Sequence, residues 1–216
     1  MKDNIYFVSG IDTNIGKSYA TGILAYRFMQ SGKKVITQKL IQTGNEDYSE
    51  DIELHRKLMG VSLQDEDLCG LTMPEIFPYP ASPHLASRLA QRAIDFEKIE
   101  SATQALSQRY DIVLVEGAGG LMVPLTEQLL TIDYIAEKGY PLIFVTSGRL
   151  GSINHTLLSL EAIERRNIPL QTLVYNCYPS SSDPIIQEDT RSYIEQYLRI
   201  HFPGAEMIII REEGLS

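Results

Sequence analysis

The sequence predicts a doubly wound α/β fold, in which a mainly parallel sheet carries helices on both faces. Short apolar runs rich in valine and isoleucine alternate with longer segments of helical periodicity, an order typical of right-handed strand–helix–strand crossovers. Most of these runs are continuously apolar, as expected for strands that are buried on both faces of a parallel sheet. The length of 216 residues favours one large domain. We therefore expect residues 1–216 to form a single α/β domain.

The strands are expected in the apolar runs at residues 5–8, 35–37, 112–115, 142–146, 170–175 and 207–210. Helices are expected at residues 16–30, 50–59, 95–107, 131–138, 152–166 and 183–200. The first helix should end at Ser31-Gly32, because glycine adopts the left-handed conformation that closes many helices. Asp95 should cap the helix that follows it, and Ser182-Asp183-Pro184 combines a cap with proline at the first helical position. Residues 64–80 contain three prolines without a clear period, so we expect a loop there, over the site or at the sheet edge.

Composition argues against several functional classes. The formal net charge of −9 argues against nucleic acid as a partner, because such proteins normally carry a basic surface. No apolar run approaches the roughly 18 residues that cross a membrane, and the first residues lack the features of a signal peptide. Cys69 and Cys177 lie outside CxxC or metal-binding spacings, and we expect both to be buried, reduced thiols. These features predict a cytoplasmic protein.

A glycine-containing segment follows the first expected strand and opens the first helix, with the sequence Gly10-Ile11-Asp12-Thr13-Asn14-Ile15-Gly16-Lys17-Ser18. This is the context required of a phosphate-binding P-loop, in which backbone N–H groups and a helix N-terminus face anionic oxygens. Lys17 should contact the β- and γ-phosphates of ATP, and Ser18 should offer its hydroxyl to Mg²⁺. The spacing departs from the strict motif, because five residues rather than four separate Gly10 from Gly16. A chance Gly-Lys-Ser after a strand is the alternative.

An acidic residue, Glu116, ends the apolar run at residues 112–115 and is followed by Gly-Ala-Gly-Gly. A carboxylate at the end of a buried strand is the arrangement of a Walker B metal site. The small residues after it leave room for a ligand at the carboxyl end of the sheet, where open α/β sheets bind their ligands. A lone glutamate at a strand end is otherwise only a solvated terminus.

Four further motifs follow one order along the chain: Lys-Leu-Ile-Gln-Thr-Gly at residues 39–44, Ser-Pro-His at 82–84, Leu-Gly-Ser-Ile-Asn-His at 150–155 and Val-Tyr-Asn at 174–176. With the P-loop and Val-Glu-Gly-Ala-Gly-Gly at 115–120, they resemble the motifs of the dethiobiotin synthetase family. The resemblance extends from Gly10 to Asn176, over most of the chain. Each motif is only moderately specific, but the ordered set is specific to that family.

The resemblance implies an ATP-dependent ring closure in biotin biosynthesis. A carbamate would form from CO₂ or bicarbonate and one amine of 7,8-diaminononanoate, and the carbamate would attack the γ-phosphate of ATP. The second amine would then attack the mixed anhydride, which closes the ureido ring and releases phosphate. The resemblance also implies Mg²⁺ as cofactor and a homodimer that binds the substrate carboxylate across its interface.

The resemblance extends to individual positions. It implies catalytic roles for Lys39, Lys17 and Thr13, since two lysines and Mg²⁺ would offset the repulsion between two anionic reactants. The implied nucleotide-binding residues are Asn14, Ile15, Gly16, Lys17, Ser18, Tyr19, Asp51, Glu116, Gly117, Ala118, Gly119 and Asn176. The implied substrate-binding residues are Thr43, Gly151, Ser152, Ile153 and Asn154, and the implied metal ligands are Ser18, Asp51 and Glu116. Surface lysines, turn threonines and ordinary helix caps are the alternatives. Asp47 and Glu50 lie close to Asp51 in the sequence, so which of these acids matches the family's acidic residue stays open.

The chain departs from the family pattern in places. Leu40 stands where the family usually has proline, and the segment after residue 210 differs from the family's Gly-x-Ile/Leu-Pro, which leaves nucleotide preference open. We expect His55 and His201 at the surface, and His84 and His155 in structural positions at helix starts. Three other functions remain open: a P-loop switch ATPase of the partitioning type, an amidoligase of the cobyrinic-acid type, and a binding module without catalytic power.

Overall fold

The computed structural model describes residues 4–178 and 183–211, which fold around a six-stranded sheet in the order β2-β5-β1-β6-β7-β8. Its strands are β1 (Ile5–Gly10), β2 (Val35–Lys39), β5 (Ile112–Glu116), β6 (Leu142–Ser147), β7 (Leu170–Asn176) and β8 (Glu206–Ile210), while β3 (Gln42–Thr43) and β4 (Ile76–Phe77) form a separate two-stranded sheet. The helices are α1 (Lys17–Gln30), α2 (Glu50–Met59), α3 (Asp65–Leu68), α4 (Pro83–Leu89), α5 (Phe96–Arg109), α6 (Thr131–Lys138), α7 (Ser152–Arg165) and α8 (Pro184–His201). All the strand pairs are parallel, which confirms the predicted fold class.

Alternating side chains of the strands build two cores, one on each face of the sheet. Phe7 and Val113 point to one face and pack with buried residues of α5, α6, α7 and α8. Their neighbours Val8 and Leu114 point to the other face and pack with α1 and α2. The strands are therefore buried on both sides, which explains why the sequence shows continuous apolar runs rather than alternation.

The register of the sheet brings three strand ends together. Val8 of β1 and Lys39 of β2 are both paired with Glu116 of β5. Because the strands are parallel, the loops that follow them leave from the same edge. The P-loop after β1, the lysine at the end of β2 and the glutamate at the end of β5 consequently share one site.

The predicted helix boundaries agree with the structure to within one or two residues. Gly32 has the left-handed φ of 83° expected just beyond the end of α1. The carboxylate of Asp95 accepts a hydrogen bond from the backbone N–H of Lys98, and that of Asp183 accepts from the backbone N–H groups of Ile185 and Ile186. Ser182, the first residue of that predicted start signal, lies outside the described residues.

The prediction of a loop at residues 64–80 was wrong in part. The segment contains α3 and β4, and it follows the edge strand β2: the backbone N–H of Lys39 donates to the carbonyl of Thr72, and that of Gln42 to the carbonyl of Glu75. The edge position is therefore confirmed. The short elements show no periodicity because backbone pairing and buried polar contacts hold them.

The prediction that both cysteines are buried was wrong as well. Cys69 is exposed at the end of α3, and Cys177 is partly exposed just after β7; both are free thiols. Across residues 4–178 and 183–211, no helix combines the length and the apolar character that a bilayer span requires.

Candidate active site

The loop between β1 and α1 has the conformation that a phosphate site requires. Asn14 and Gly16 adopt left-handed backbone angles, with φ of 57° and 79°. A Cβ atom on Gly16 would lie 2.2 Å from the side-chain nitrogen of Asn176, so only glycine fits there. The buried Lys17 donates from Nζ to the carbonyl of Asp12 at 2.6 Å. The ammonium is thereby bent back over the loop whose N–H groups would face the phosphates.

Asn176 supports this loop from the end of β7. Its amide nitrogen donates to the carbonyls of Ile15 and Tyr178 at 2.8 and 2.6 Å, and its amide oxygen accepts from the N–H of Tyr178. The Tyr178 ring stacks on Tyr19 of α1, with centroids 4.4 Å apart. Asn176 therefore braces the P-loop, and its direct contact with a nucleotide stays a prediction.

A compact cluster of charged and hydroxyl groups lies at the ends of β2 and β5. The ammonium of Lys39 contacts Asp51 Oδ2 at 2.5 Å and Glu116 Oε1 at 2.8 Å. The hydroxyl of Ser18 lies 2.5 Å from Asp51 Oδ1 and 2.9 Å from Glu116 Oε1. The structure thus brings together four residues from four separate segments of the sequence, and it selects Asp51 over its acidic neighbours Asp47 and Glu50 for contact with Lys39.

Electrostatics distinguish the two lysines. Burial lowers the pKa of Lys17 to about 8, because desolvation outweighs the attraction of nearby carboxylates. Burial would also lower the pKa of Lys39, but Glu116 and Asp51 reverse this effect and raise the pKa above its usual value. Burial would raise the pKa of Glu116, yet Lys39 and His55 hold it well below its usual range. Lys39 is therefore a permanent cation and Glu116 a permanent anion at neutral pH.

The donor set fits Mg²⁺. Ser18, Asp51 and Glu116 offer oxygen atoms that already lie within hydrogen-bonding distance of one another, and Mg²⁺ prefers oxygen ligands while keeping several waters. Within the described ranges there is no group of three or more His, Cys, Asp or Glu side chains suited to a metal. Protein ligation at this site would accordingly come from two carboxylates and one hydroxyl.

The prediction that His55 lies at the surface was wrong. The ring is fully buried, and its Nε2 lies 2.9 Å from Glu116 Oε2 while its Nδ1 lies 3.0 Å from the hydroxyl of Thr37. Thr21 of α1, which the sequence did not single out, also donates to Glu116 Oε2 at 2.7 Å. Two signals were available: His55 lies four residues after Asp51, and Thr21 four residues after Lys17, so each pair shares a helix face.

The other histidines lie where the sequence suggested. His201 is exposed at the end of α8. His84, in the first turn of α4, contacts the hydroxyl of Ser82 through Nδ1 at 3.0 Å. His155 is exposed in the first turn of α7. The helix-start positions of His84 and His155 and the surface position of His201 are as predicted.

A cavity of about 600 Å³ opens above the charged cluster. Its walls include most of the predicted site residues, namely Thr13, Asn14, Gly16, Lys17, Ser18, Tyr19, Lys39, Thr43, Asp51, Glu116, Ala118 and Gly119. Gly117 is instead packed against Phe7, where a Cβ atom would lie 2.9 Å from the ring. Ile15 is buried under the loop and packs in the core beside α1.

The start of the predicted substrate helix does not line this cavity. Gly151 has a left-handed φ of 92° and precedes α7, as expected, and the hydroxyl of Ser152 contacts that of Ser147 at 3.0 Å. Ser152 is buried, Ile153 half-buried and Asn154 exposed, and none of the three lines the main cavity. A second cavity of about 590 Å³, lined in part by Thr13, lies between the P-loop and α7.

Comparisons with known proteins find a family model and close relatives over most of the chain. Residues 4–205 match a family model described as an AAA domain. The ATP-dependent dethiobiotin synthetase BioD 2 of Haemophilus ducreyi is 52% identical over 95% of this chain and 97% of its own length. The ATP-dependent dethiobiotin synthetase BioD of Chlorobaculum tepidum is 52% identical over 100% of this chain and 90% of its own, and the BioD 2 protein of Pasteurella multocida is 49% identical over 93% of both.

Solved structures share the fold at low sequence identity. The MinC:MinD cell division protein complex of Aquifex aeolicus superposes with a TM-score of 0.58 at 16% identity, covering 98% of this chain and 82% of that one. A ParA family ATPase from Chlorobium tepidum gives a TM-score of 0.52 at 14% identity, covering 97% and 86%. At such identities the likeness concerns the fold alone.

Proposed function

The chain belongs to the ATP-dependent dethiobiotin synthetase family, and we infer its function from that membership and from the site described above. It is an ATP-dependent ligase of biotin biosynthesis that forms C–N bonds and acts on a diamino substrate. The observation that carries the mechanism is the convergence of Lys17, Lys39 and Glu116 on one cavity.

The proposed reaction joins CO₂ to 7,8-diaminononanoate at the expense of ATP. One amine attacks CO₂ and loses a proton, which gives a carbamate. A carbamate oxygen attacks the γ-phosphorus as ADP leaves, and the second amine attacks the carbonyl carbon of the mixed anhydride. Phosphate leaves, and the ureido ring of dethiobiotin is closed.

The charges of the site suit the second step, in which two anions meet. Lys17 and Lys39 both line the cavity, so a carbamate and a γ-phosphate bound there would have two cations to offset their repulsion. The three donors of Lys39 are directed at Asp51, Glu116 and the carbonyl of Gly117. Contact with a substrate oxygen therefore requires Lys39 to exchange one of these partners. Thr13 and Thr43 would donate hydroxyl hydrogen bonds to the carbamate or an amine.

Mg²⁺ would be held by Ser18, Asp51 and Glu116, where it would neutralise charge on the phosphates. The nucleotide would lie along residues 14–19, with Gly117, Ala118, Gly119 and Asn176 around it. The segment at residues 212–214, on which the question of base preference rests, lies outside the described residues.

The proposed assembly is a cytoplasmic homodimer in which each subunit is a single domain. In the family pattern, the helix start at residues 151–154 binds the substrate carboxylate across the subunit interface. The exposed Leu150 and Leu158 support an interface on this face, because both are large apolar side chains. The net charge of −9 supports the absence of a nucleic-acid partner.

The test is phosphate release by purified protein supplied with Mg·ATP, bicarbonate and the diamine, with each component omitted in turn. We expect release only with the complete mixture. Release that ignores the diamine but responds to DNA or a protein partner would point to a switch ATPase, and release that requires ammonia or glutamine would point to an amidoligase. Neither of these alternatives is favoured by the relatives.

A further inference from the structure

His55 is a buried histidine to which the proposed mechanism gives no role. It lies on α2 four residues after Asp51, so both side chains point from one helix face towards the charged cluster. Its side chain is inaccessible to solvent and does not line the cavity. Its contacts are Glu116 on one ring nitrogen and Thr37 on the other.

A continuous chain of buried hydrogen bonds indicates which ring nitrogen of His55 carries the proton. Arg56 can only donate: Nε and Nη2 bond the two carboxylate oxygens of Asp67 at 2.8 and 2.7 Å, and Nη1 bonds the hydroxyl oxygen of Thr37 at 2.8 Å. If the Thr37 oxygen also accepted a bond from Nδ1 of His55, its own hydrogen would have no acceptor among the described residues, so we assign the hydroxyl as the donor to Nδ1. Nδ1 is then the acceptor, and Nε2 carries the proton that is donated to Glu116.

His55 bonds the carboxylate oxygen of Glu116 that points away from the cavity. Oε1 accepts from Ser18 and Lys39, which both line the cavity, and Oε2 accepts from Thr21 and His55. The hydroxyl of Thr21 is also directed at the carbonyl of Lys17, so its one hydrogen is shared between two acceptors. In contrast, the Nε2–H of His55 is directed at Oε2 alone.

We propose that His55 is a positioning residue: its Nε2–H holds Oε2 of Glu116 so that Oε1 faces Ser18 in the orientation that binds Mg²⁺ together with the nucleotide. Hydrogen-bond partners of metal-binding side chains commonly change metal affinity by roughly 10- to 100-fold when they are removed. The catalytic consequence rests on the proposed function, whereas the consequence for Mg²⁺-dependent nucleotide binding does not.

Two polar replacements of similar size separate positioning from packing. In His55→Gln the amide can reach Glu116, whereas in His55→Asn the shorter amide lies near the position of Nδ1 and leaves Oε2 without this donor. The measurement is calorimetric binding of a non-hydrolysable ATP analogue, with Mg²⁺ and again with EDTA. The Mg²⁺ enhancement is the factor by which Mg²⁺ raises the affinity for the analogue, and we expect it to be about tenfold smaller in His55→Asn than in wild type. In EDTA, the affinity of this variant should lie within about twofold of the wild-type value. His55→Gln should keep most of the enhancement.

Other variants test the same inference independently. Thr37→Val removes the hydroxyl hydrogen that Nδ1 accepts, and we expect it to reduce the Mg²⁺ enhancement by about threefold without altering the ring. In a Glu116→Gln background, His55→Asn should have no further effect on the enhancement, because the acceptor charge is gone. His201→Leu, at an exposed histidine of α8, is the matched control and should bind as wild type does.

An equal loss of affinity with Mg²⁺ and with EDTA would mean that His55 only supports the fold. An unchanged enhancement in His55→Asn, or in Thr37→Val if His55→Asn does not fold, would overturn the proposal, as would full additivity with Glu116→Gln. Dethiobiotin formation by wild-type protein is measured in parallel. If the wild type forms none, the assigned reaction fails, while the Mg²⁺ enhancement still decides the role of His55.

Discussion

Lys17 and Lys39 are both buried ammonium groups, but their surroundings act on them in opposite directions. Lys17 meets a backbone carbonyl, and its pKa falls to about 8 through desolvation. Lys39 meets two carboxylates, which raise its pKa. The buried charge of Lys17 therefore lowers the stability of the nucleotide-free protein, whereas Lys39 stabilises the protein through Asp51 and Glu116.

Replacing Lys17 by methionine should stabilise the nucleotide-free protein. The unfolded pKa is 10.5 and the folded one about 8, so below pH 8 both states carry the proton and the folded state bears the full cost of burying the charge. We expect Lys17→Met to raise the free energy of unfolding by on the order of 2 kcal/mol at pH 7. The gain should shrink as the pH rises from 8 towards 10.5, because wild-type Lys17 then loses its proton on folding. Urea unfolding across this pH range measures the effect, and a gain that is constant with pH would contradict it.

Replacing Lys39 by alanine should have the opposite effect on stability and should also reduce the rate of catalysis. Asp51 and Glu116 would lose their shared cation, and we expect a loss of about 3 kcal/mol in unfolding free energy at pH 7 in EDTA. The kcat should fall by about 100-fold or more, as for the loss of one transition-state charge contact. Steady-state phosphate release by the folded variant measures kcat. Turnover near the wild-type rate would show that Lys39 has no catalytic role.

At the residue scale, the sequence predicted the groups that define the chemistry but not the groups that hold them. Ser18, Asp51, Lys39 and Glu116 belong to motifs and meet as expected. His55 is not part of any motif, and an isolated histidine in an amphipathic pattern does not disclose that a strand glutamate lies against it. Its spacing from Asp51 predicts a shared helix face, but the packing of α2 on α1 and β2 is needed to show that its partner is Glu116.

At the scale of elements, α2 is the helix on which the site depends most. Its N-cap is the buried Ser49, whose hydroxyl accepts from the backbone N–H of Ile52 and donates to Gln42 Oε1 at 2.6 Å. The cap fixes where the helix begins, and so where Asp51 and His55 point. Arg56 then ties the helix to α3 through the buried carboxylate of Asp67.

Removing this cap should affect stability and the site together. We expect Ser49→Ala to cost about 1 kcal/mol of unfolding free energy and to raise the Mg²⁺ concentration needed for half-maximal activity. Asp95→Ala, which removes the cap of α5 away from the site, should cost a similar free energy without changing the Mg²⁺ requirement. Denaturant melts and Mg²⁺ titrations compare the two variants, and an equal Mg²⁺ response in both would contradict the role given to α2.

Periodic elements were predictable and aperiodic ones were not. Helix α8 and strand β7 could be read from apolar spacing and cap residues within one or two positions. Residues 64–80 could not, because α3 and β4 are too short to show a period. Their burial depends on partners elsewhere, namely Arg56 and the backbone at β2 and β3.

At the scale of the whole molecule, strand order determines the site. The order β2-β5-β1-β6-β7-β8 places the ends of β2, β5 and β1 side by side, so that three distant segments of sequence meet at one sheet edge. Continuous apolar runs predicted the parallel sheet, but its order does not follow from pattern alone. The start of α7 does not line the main cavity, so the proposed role of this helix in binding the substrate carboxylate depends on the proposed homodimer.

The proposed homodimer makes a prediction at this scale. Leu158 on α7 is 58% exposed, and a glutamate there would place a charge in the proposed interface. We expect Leu158→Glu to sediment as a monomer at concentrations where the wild type sediments as a dimer. Ile200→Glu, at a 67% exposed position of α8, is the control and should leave the dimer intact. A wild-type protein that sediments as a monomer would exclude this assembly.

The most direct measurement is mass spectrometry of the product formed from ¹³C-bicarbonate, the diamine and Mg·ATP, with phosphate counted in the same samples. We predict dethiobiotin that carries one ¹³C in its ureido ring, one phosphate released per product, and almost no product from Lys39→Ala. Product without the label, phosphate without product, or full activity in Lys39→Ala would contradict the proposed mechanism.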